Sequence, residues 1–208
     1  MRNLLLSLSM VAGLHGTAQQ DTASYIFRSL SEALQQPTLV KRLDLSGQAL
    51  ERFPTEVLLF PNLEELRLRQ DGISKLPPEI GQLKRLRLLD LSGNPIVTLP
   101  IEFTQLEALE ELYLNDDPTL DLEGDLQLLS KLPRLRILHL EGDGIERLPG
   151  CIVELRRLEE LYLTNNALRD FPQEVIGMRS LKLIDLRTNP LKPLIPLDLQ
   201  QQGVLVRF

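Results

Sequence analysis

Imidazole and thiol chemistry rest on very few residues in this 208-residue chain, which has two histidines and one cysteine. His139 and Cys151 are the members of that set inside the regular part of the sequence. A hydrolytic site needs a nucleophile, a base and a group that orients the base. No nucleophile motif accompanies either residue, so no catalytic residue is expected. One cysteine cannot form an internal disulfide, and no Cys/His cluster suggests structural zinc. Asn115 to Asp125 carries five carboxylates, which suit calcium, but their spacing is not that of an EF-hand loop. The expectation there is a turn leading into a negatively charged helix start. No metal and no cofactor is expected. What remains is Tyr113, His139 and Tyr162, three rings whose meaning depends on the elements that carry them.

Those elements repeat. The pattern L-x-x-L-x-L-x-x-(N/D)-x-L begins at Val40, Leu63, Leu86, Leu109, Leu135, Leu158 and Leu181, in steps of 23, 23, 23, 26, 23 and 23 residues. One unit reads Leu86, Leu89, Leu91, Asn94, Ile96, Leu99, Pro100, Phe103 and Leu106. In L-x-L the two leucines share one face of a short strand and the intervening residue faces the other way. The segment after Leu-Pro spaces its apolar residues by three, which predicts a helical or 3₁₀ turn with proline at its first position. One unit cannot bury its own leucines, so neighbours must stack. The wider helical side then curves the stack and leaves a concave parallel sheet. The column Gln48, Asp71, Asn94, Asp117, Asp143, Asn166 and Asn189 is expected to bond backbone groups where the chain leaves each strand.

This pattern resembles the leucine-rich repeat family over about residues 40 to 203, and its L-P-x-x-(I/V/F)-x-x-L half is similar to the 23-residue class of Ras-suppressor-like and many bacterial repeat proteins. The resemblance implies an α/β repeat solenoid: a horseshoe with a concave parallel sheet, a helical or 3₁₀ convex side and an N-terminal helical cap. It also implies non-enzymatic recognition of a protein or peptide.

On the concave face, Tyr113, His139 and Tyr162 should be neighbours across three consecutive strands. Leu88 and Ile137 adjoin them, among Glu111, Glu160 and Asp90. Tyrosines combine area with a polar handle, as interface anchors do. These eight residues form the expected partner site, and its carboxylates favour a segment that is basic or rich in hydrogen-bond donors. One column nearer the strand starts, Lys41, Glu64, Arg87, Glu110, Arg136, Glu159 and Lys182 alternate in sign, a ladder suited to register and solubility. Cys151 takes a column where other repeats place glutamate, so it is expected near the outer surface.

The ends read differently. Arg2, the apolar run 4–14 and the small residues Gly16-Thr17-Ala18 have the layout of a signal peptide, residues 1–18, and export to the periplasm, cell surface or medium is expected. If that segment is retained, an intracellular Ras-suppressor-like regulator is the alternative, and a purely structural envelope component is another. Residues 19–39 should hold a capping helix over 22–36, with Ala23, Ile26, Phe27, Leu30, Ala33 and Leu34 on one face. Residues 204–208 should add a short capping strand. No apolar run reaches the roughly 18 residues of a spanning helix. The balance of 23 basic against 29 acidic residues, −6 overall, leads to the expectation of no nucleic-acid partner.

Overall fold

The computed structural model describes residues 25–192 and 196–208. The expected leader at 1–18 and the helix position Ala23 lie outside them. The described chain forms one eight-stranded parallel sheet in sequential order: β1 (Arg42–Asp44), β2 (Glu65–Arg67), β3 (Leu88–Asp90), β4 (Glu111–Tyr113), β5 (Ile137–His139), β6 (Glu160–Tyr162), β7 (Leu183–Asp185) and β8 (Leu205–Arg207). Three helices accompany it: α1 (Leu30–Ala33), α2 (Leu122–Leu129) and α3 (Leu197–Gln202). Single 3₁₀ turns at Thr55–Leu59, Pro78–Gln82, Ile101–Gln105, Gly150–Glu154 and Gln173–Gly177 fill the opposite side.

Each strand is three residues long, and β1 to β7 centre on the first leucine position of L-x-L; the second leucine follows the strand end and is also buried. Their register is strictly columnar: Leu43, Leu66, Leu89, Leu112, Leu138, Leu161 and Ile184 stand in line, and all seven are fully buried. Val57, Ile80, Phe103, Ile152 and Val175 meet them from the 3₁₀ turns. Pro78 opens its turn as the sequence predicts, but the recurring proline of the Leu-Pro step stands one place earlier. Pro54, Pro77, Pro100, Pro149 and Pro172 precede the first helical residue in extended geometry. Their carbonyls accept the turn-closing bonds, as in Phe103 N–H to Pro100 O at 2.9 Å. The ring's fixed φ sets the entry direction without removing a donor the turn needs.

The Asx column bonds backbone groups, but mostly those of the preceding unit. Asn94 Oδ1 accepts from the amides of Asp71 (3.1 Å) and Ile73 (3.0 Å), while its Nδ2 donates to the carbonyls of Leu68 (2.6 Å) and Leu91 (2.7 Å). Asn166 repeats this set against Asp143, Ile145, Leu140 and Leu163. The column therefore sews unit to unit in addition to shaping each turn.

At the N-terminal end the expected helix over 22–36 is not what forms. Phe27 is extended and bridges Leu43 in parallel, donating to Arg42 O at 3.0 Å and accepting from Asp44 N at 2.8 Å. Helix α1 spans only Leu30–Ala33, and Leu34 is exposed. The free backbone groups of the β1 edge outbid a helical periodicity that was marginal for so short a segment. In the fourth unit α2 is a true helix. Asp121 caps it through Gly124 N, and Asp125 lies buried inside it.

Candidate binding face

The residue between the two strand leucines faces away from the core, so the concave face is written in columns. Strand pairing aligns Leu88, Glu111, Ile137 and Glu160 in one column and Asp90, Tyr113, His139 and Tyr162 in the next. Adjacent parallel strands lie ~4.8 Å apart, close to ring-stacking distance. The rings use that match: Tyr113 and His139 stack at 3.8 Å and 9°, and His139 and Tyr162 at 4.3 Å and 6°.

Each tyrosine is anchored by the glutamate two residues before it, which points to the same side of the strand. Tyr113 Oη donates to Glu111 Oε1 (2.5 Å) and Tyr162 Oη to Glu160 Oε2 (2.6 Å). His139 Nε2 is 3.1 Å from the same Glu111 oxygen, and its Nδ1 is 3.7 Å from Glu141 Oε2. The His139 bond, with help from Tyr113, holds the Glu111 carboxyl below its ordinary range even though burial opposes this. Burial and then the Glu111 carboxylate push the Tyr113 hydroxyl well up. The Glu160 hydrogen bond, followed by burial, pushes Tyr162 up to about 12. Both phenols therefore stay protonated donors at physiological pH.

The stacking limits the ring area that these expected anchors can offer. The ring faces are spent on one another, and His139 is only 8% exposed. An incoming group meets ring edges, hydroxyls and carboxylates. The eight expected site residues also divide in two. Leu88, Glu111, Ile137 and Glu160 line a depression of about 240 Å³. Tyr113, His139 and Tyr162 form the stacked wall beside it, with Asp90 at the far end next to Tyr113 and bonded to Ser92 N. The recurring Glu-Leu-Tyr-Leu at 111–114 and 160–163 carried the signal for the tyrosine anchors. Glu141, under His139, had none, because it belongs to the loop beyond the strand.

The charge ladder resolves into closed sets. Lys41 pairs with Glu64 (3.4 Å), Arg87 with Glu110 (2.8 Å), and Arg136 and Lys182 share Glu159 (2.8 and 2.7 Å). Cys151 is half-buried, with its thiol 3.7 Å from the Glu123 carbonyl. Burial and the Glu123 charge raise its pKa, which leaves it a poor nucleophile. Three carboxylates of the acidic run serve the backbone: Asp117 accepts from Ile96 and Thr119, Asp121 from Gly124, and Asp125 from Leu99, while Asp116 pairs with Arg69 at 3.6 Å.

The leucine-rich repeat family model matches residues 61–118 and 133–191. This chain belongs to the leucine-rich repeat family. A leucine-rich repeat protein of Leptospira interrogans is similar at 30% identity and a TM-score of 0.65, over 86% of this chain and 51% of that one. TLR13, solved as its complex with ssRNA13, is similar at 29% identity and TM-score 0.57, over 68% of this chain and 21% of that one. An internalin of Listeria monocytogenes shares the fold at 17% identity and TM-score 0.57, over 82% of this chain and 46% of that one. The chain thus spans about half the length of the Leptospira and Listeria proteins and about a fifth of TLR13. No curated protein matches it. Leucine-rich repeats are commonly protein–protein interaction scaffolds, and these relatives are generally non-enzymatic.

Proposed function

We propose that this chain is a non-enzymatic recognition scaffold that holds a protein or peptide segment on its concave face. One observation carries the reading. The depression floored by Leu88 and Ile137 lies beside a rigid Tyr113–His139–Tyr162 wall, at positions whose burial adds nothing to the leucine core. A site built on stacked, hydrogen-bonded side chains loses little entropy on binding. Apolar side chains would seat on Ile137, and the partner's donors would meet Glu111 and Glu160. Recognition scaffolding also accounts for a regular fold whose thiol is shielded and whose imidazole is stacked and bonded.

Ile137→Arg tests this without touching the core. It fills the depression and neutralises the carboxylates on either side. A photo-crosslinking amino acid at position 88 should trap a discrete partner from a native extract, and Ile137→Arg should abolish that adduct while the melting curve stays put. A crosslinker at Val153, exposed on the opposite side, should trap nothing. Adducts at 153 and none at 88 would place the partner on the convex side instead.

The reading includes export, supported by Arg2, the apolar run and Gly16-Thr17-Ala18. N-terminal sequencing of the native protein should begin at Gln19, and Met1 on most molecules would overturn it.

A further inference from the structure

The concave ladder neutralises itself, but the column just outside it does not. On the flank where each 3₁₀ turn or helix returns to its strand, units four to six place Arg134, Arg156, Arg157 and Arg179, with Lys131 just before them, and all five are exposed. Among the described residues none of the five takes part in a salt bridge, whereas the adjoining Arg87, Arg136 and Lys182 all do. Arg134 and Arg157 face one groove of about 530 Å³, shared with Ser180 and with the already paired Arg136, Glu110 and Glu159. The chain's −6 is thus a sum over segregated surfaces, and net charge gives no account of this flank.

We propose that this flank is a second interaction surface, and that its occupant is an acidic polypeptide segment whose carboxylates fork onto Arg134 and Arg157 and continue to Arg179. Planar guanidiniums bind carboxylates bidentately and are weakly hydrated, so adjacent free arginines form discrete carboxylate sites. A peptide fits better than a polyphosphate. Glu110 and Glu159 sit inside the groove and repel a backbone charged at every residue, whereas acidic side chains can be spaced to avoid them. No aromatic ring lines the groove to stack a base. Its concavity also does not match a flat lipid surface. The surface is separate from the concave depression, so this inference stands whether or not the aromatic wall binds anything.

The test uses the full chain and a fluorescein-labelled octapeptide of alternating glutamate and alanine, followed by fluorescence anisotropy. Arg134→Gln, Arg157→Gln and Arg179→Gln together should weaken binding by about tenfold or more and flatten its salt dependence. The charge-matched triple Arg52→Gln, Arg147→Gln and Arg169→Gln, at exposed sites elsewhere, should leave it within about twofold. Replacing the probe's glutamates by glutamine should remove binding, and both triples should melt like the parent. Equal loss in the two triples, or no binding by the parent, overturns the proposal. So does tighter binding of an oligouridylate or of phosphatidylglycerol vesicles at the same arginines, which would reassign the flank to that partner class.

Discussion

Asp143 stands in the column that Asn94, Asn166 and Asn189 also occupy, but it lacks their amide protons. Its Oδ1 accepts from Asp117 N at 2.8 Å. Its Oδ2 is buried without a partner, in the slot from which the asparagines donate to two strand carbonyls. An ionised carboxylate there would face acceptors. Burial is the main cause that raises its pKa to about 7, and the charges of Asp117, Asp116 and Glu141 add to it. Asp125, also buried, is raised to about 6. The sign follows from linkage. The unfolded chain releases these protons near pH 4, while the folded chain keeps them to about 6–7. Stability from these groups is therefore present at pH 4 and is lost as pH rises to 7. The urea midpoint should be higher at pH 5 than at pH 8. Asp143→Asn restores the amide donor, so it should raise stability at pH 8, by on the order of 1–2 kcal/mol, and flatten the pH dependence. A variant less stable than the parent at pH 8 would show that the carboxylate is charged and satisfied.

At the scale of the element, the turn that leaves each strand explains what was legible in the sequence and what was not. Every residue just before the Asx column has positive φ: Gly47, Gln70, Gly93, Asp116, Gly142, Asn165 and Thr188. Glycine, aspartate and asparagine signal that conformation, but Gln70 and Thr188 do not. Thr188, at φ 60°, is β-branched where the left-handed region costs ~1–2 kcal/mol. Thr188→Gly should therefore raise stability by about 0.5–1 kcal/mol, net of the backbone entropy glycine adds to the unfolded state. Gly93→Ala should lower it, because a Cβ there would lie 2.8 Å from Gln70 Cγ. The strand columns were readable because period two and a 23-residue step fix both face and register. Leu112→Ala, fully buried, should cost about 2–5 kcal/mol in urea unfolding, and Leu88→Ala, on the concave face, under about 1 kcal/mol. The end was not readable, since whether Phe27 turns helical depends on the β1 edge, which lies 16 residues away in sequence. Likewise the alignment of Tyr113, His139 and Tyr162 across three strands was legible but not their ring orientation, which Glu111 and Glu160 help to set by hydrogen bonds.

At the scale of the whole molecule, the strand and turn contacts join adjacent units, and an exposed Arg69–Asp116 pair (3.6 Å) reaches across the third, so cohesion is close to one-dimensional. Core leucines, ladder asparagines and parallel strand bonds all run between adjacent units, and none spans the stack. Damage should therefore spread by nearest-neighbour steps and fade with distance. Leu112→Asp places a charge where no water reaches, between β3 and β5, at a cost of several kcal/mol. Native stabilities are only ~5–15 kcal/mol, so the fourth unit cannot absorb that loss alone. Hydrogen exchange read by mass spectrometry should show amide protection lost from β3 to β5, falling off toward β1 and β7. Leu205→Asp, on the half-exposed β8, should leave the central pattern unchanged. Protection lost uniformly from β1 to β8 in Leu112→Asp would mean that the stack unfolds as a single block. In that case the inter-unit ties, the Asx column above all, are stronger than the units they join.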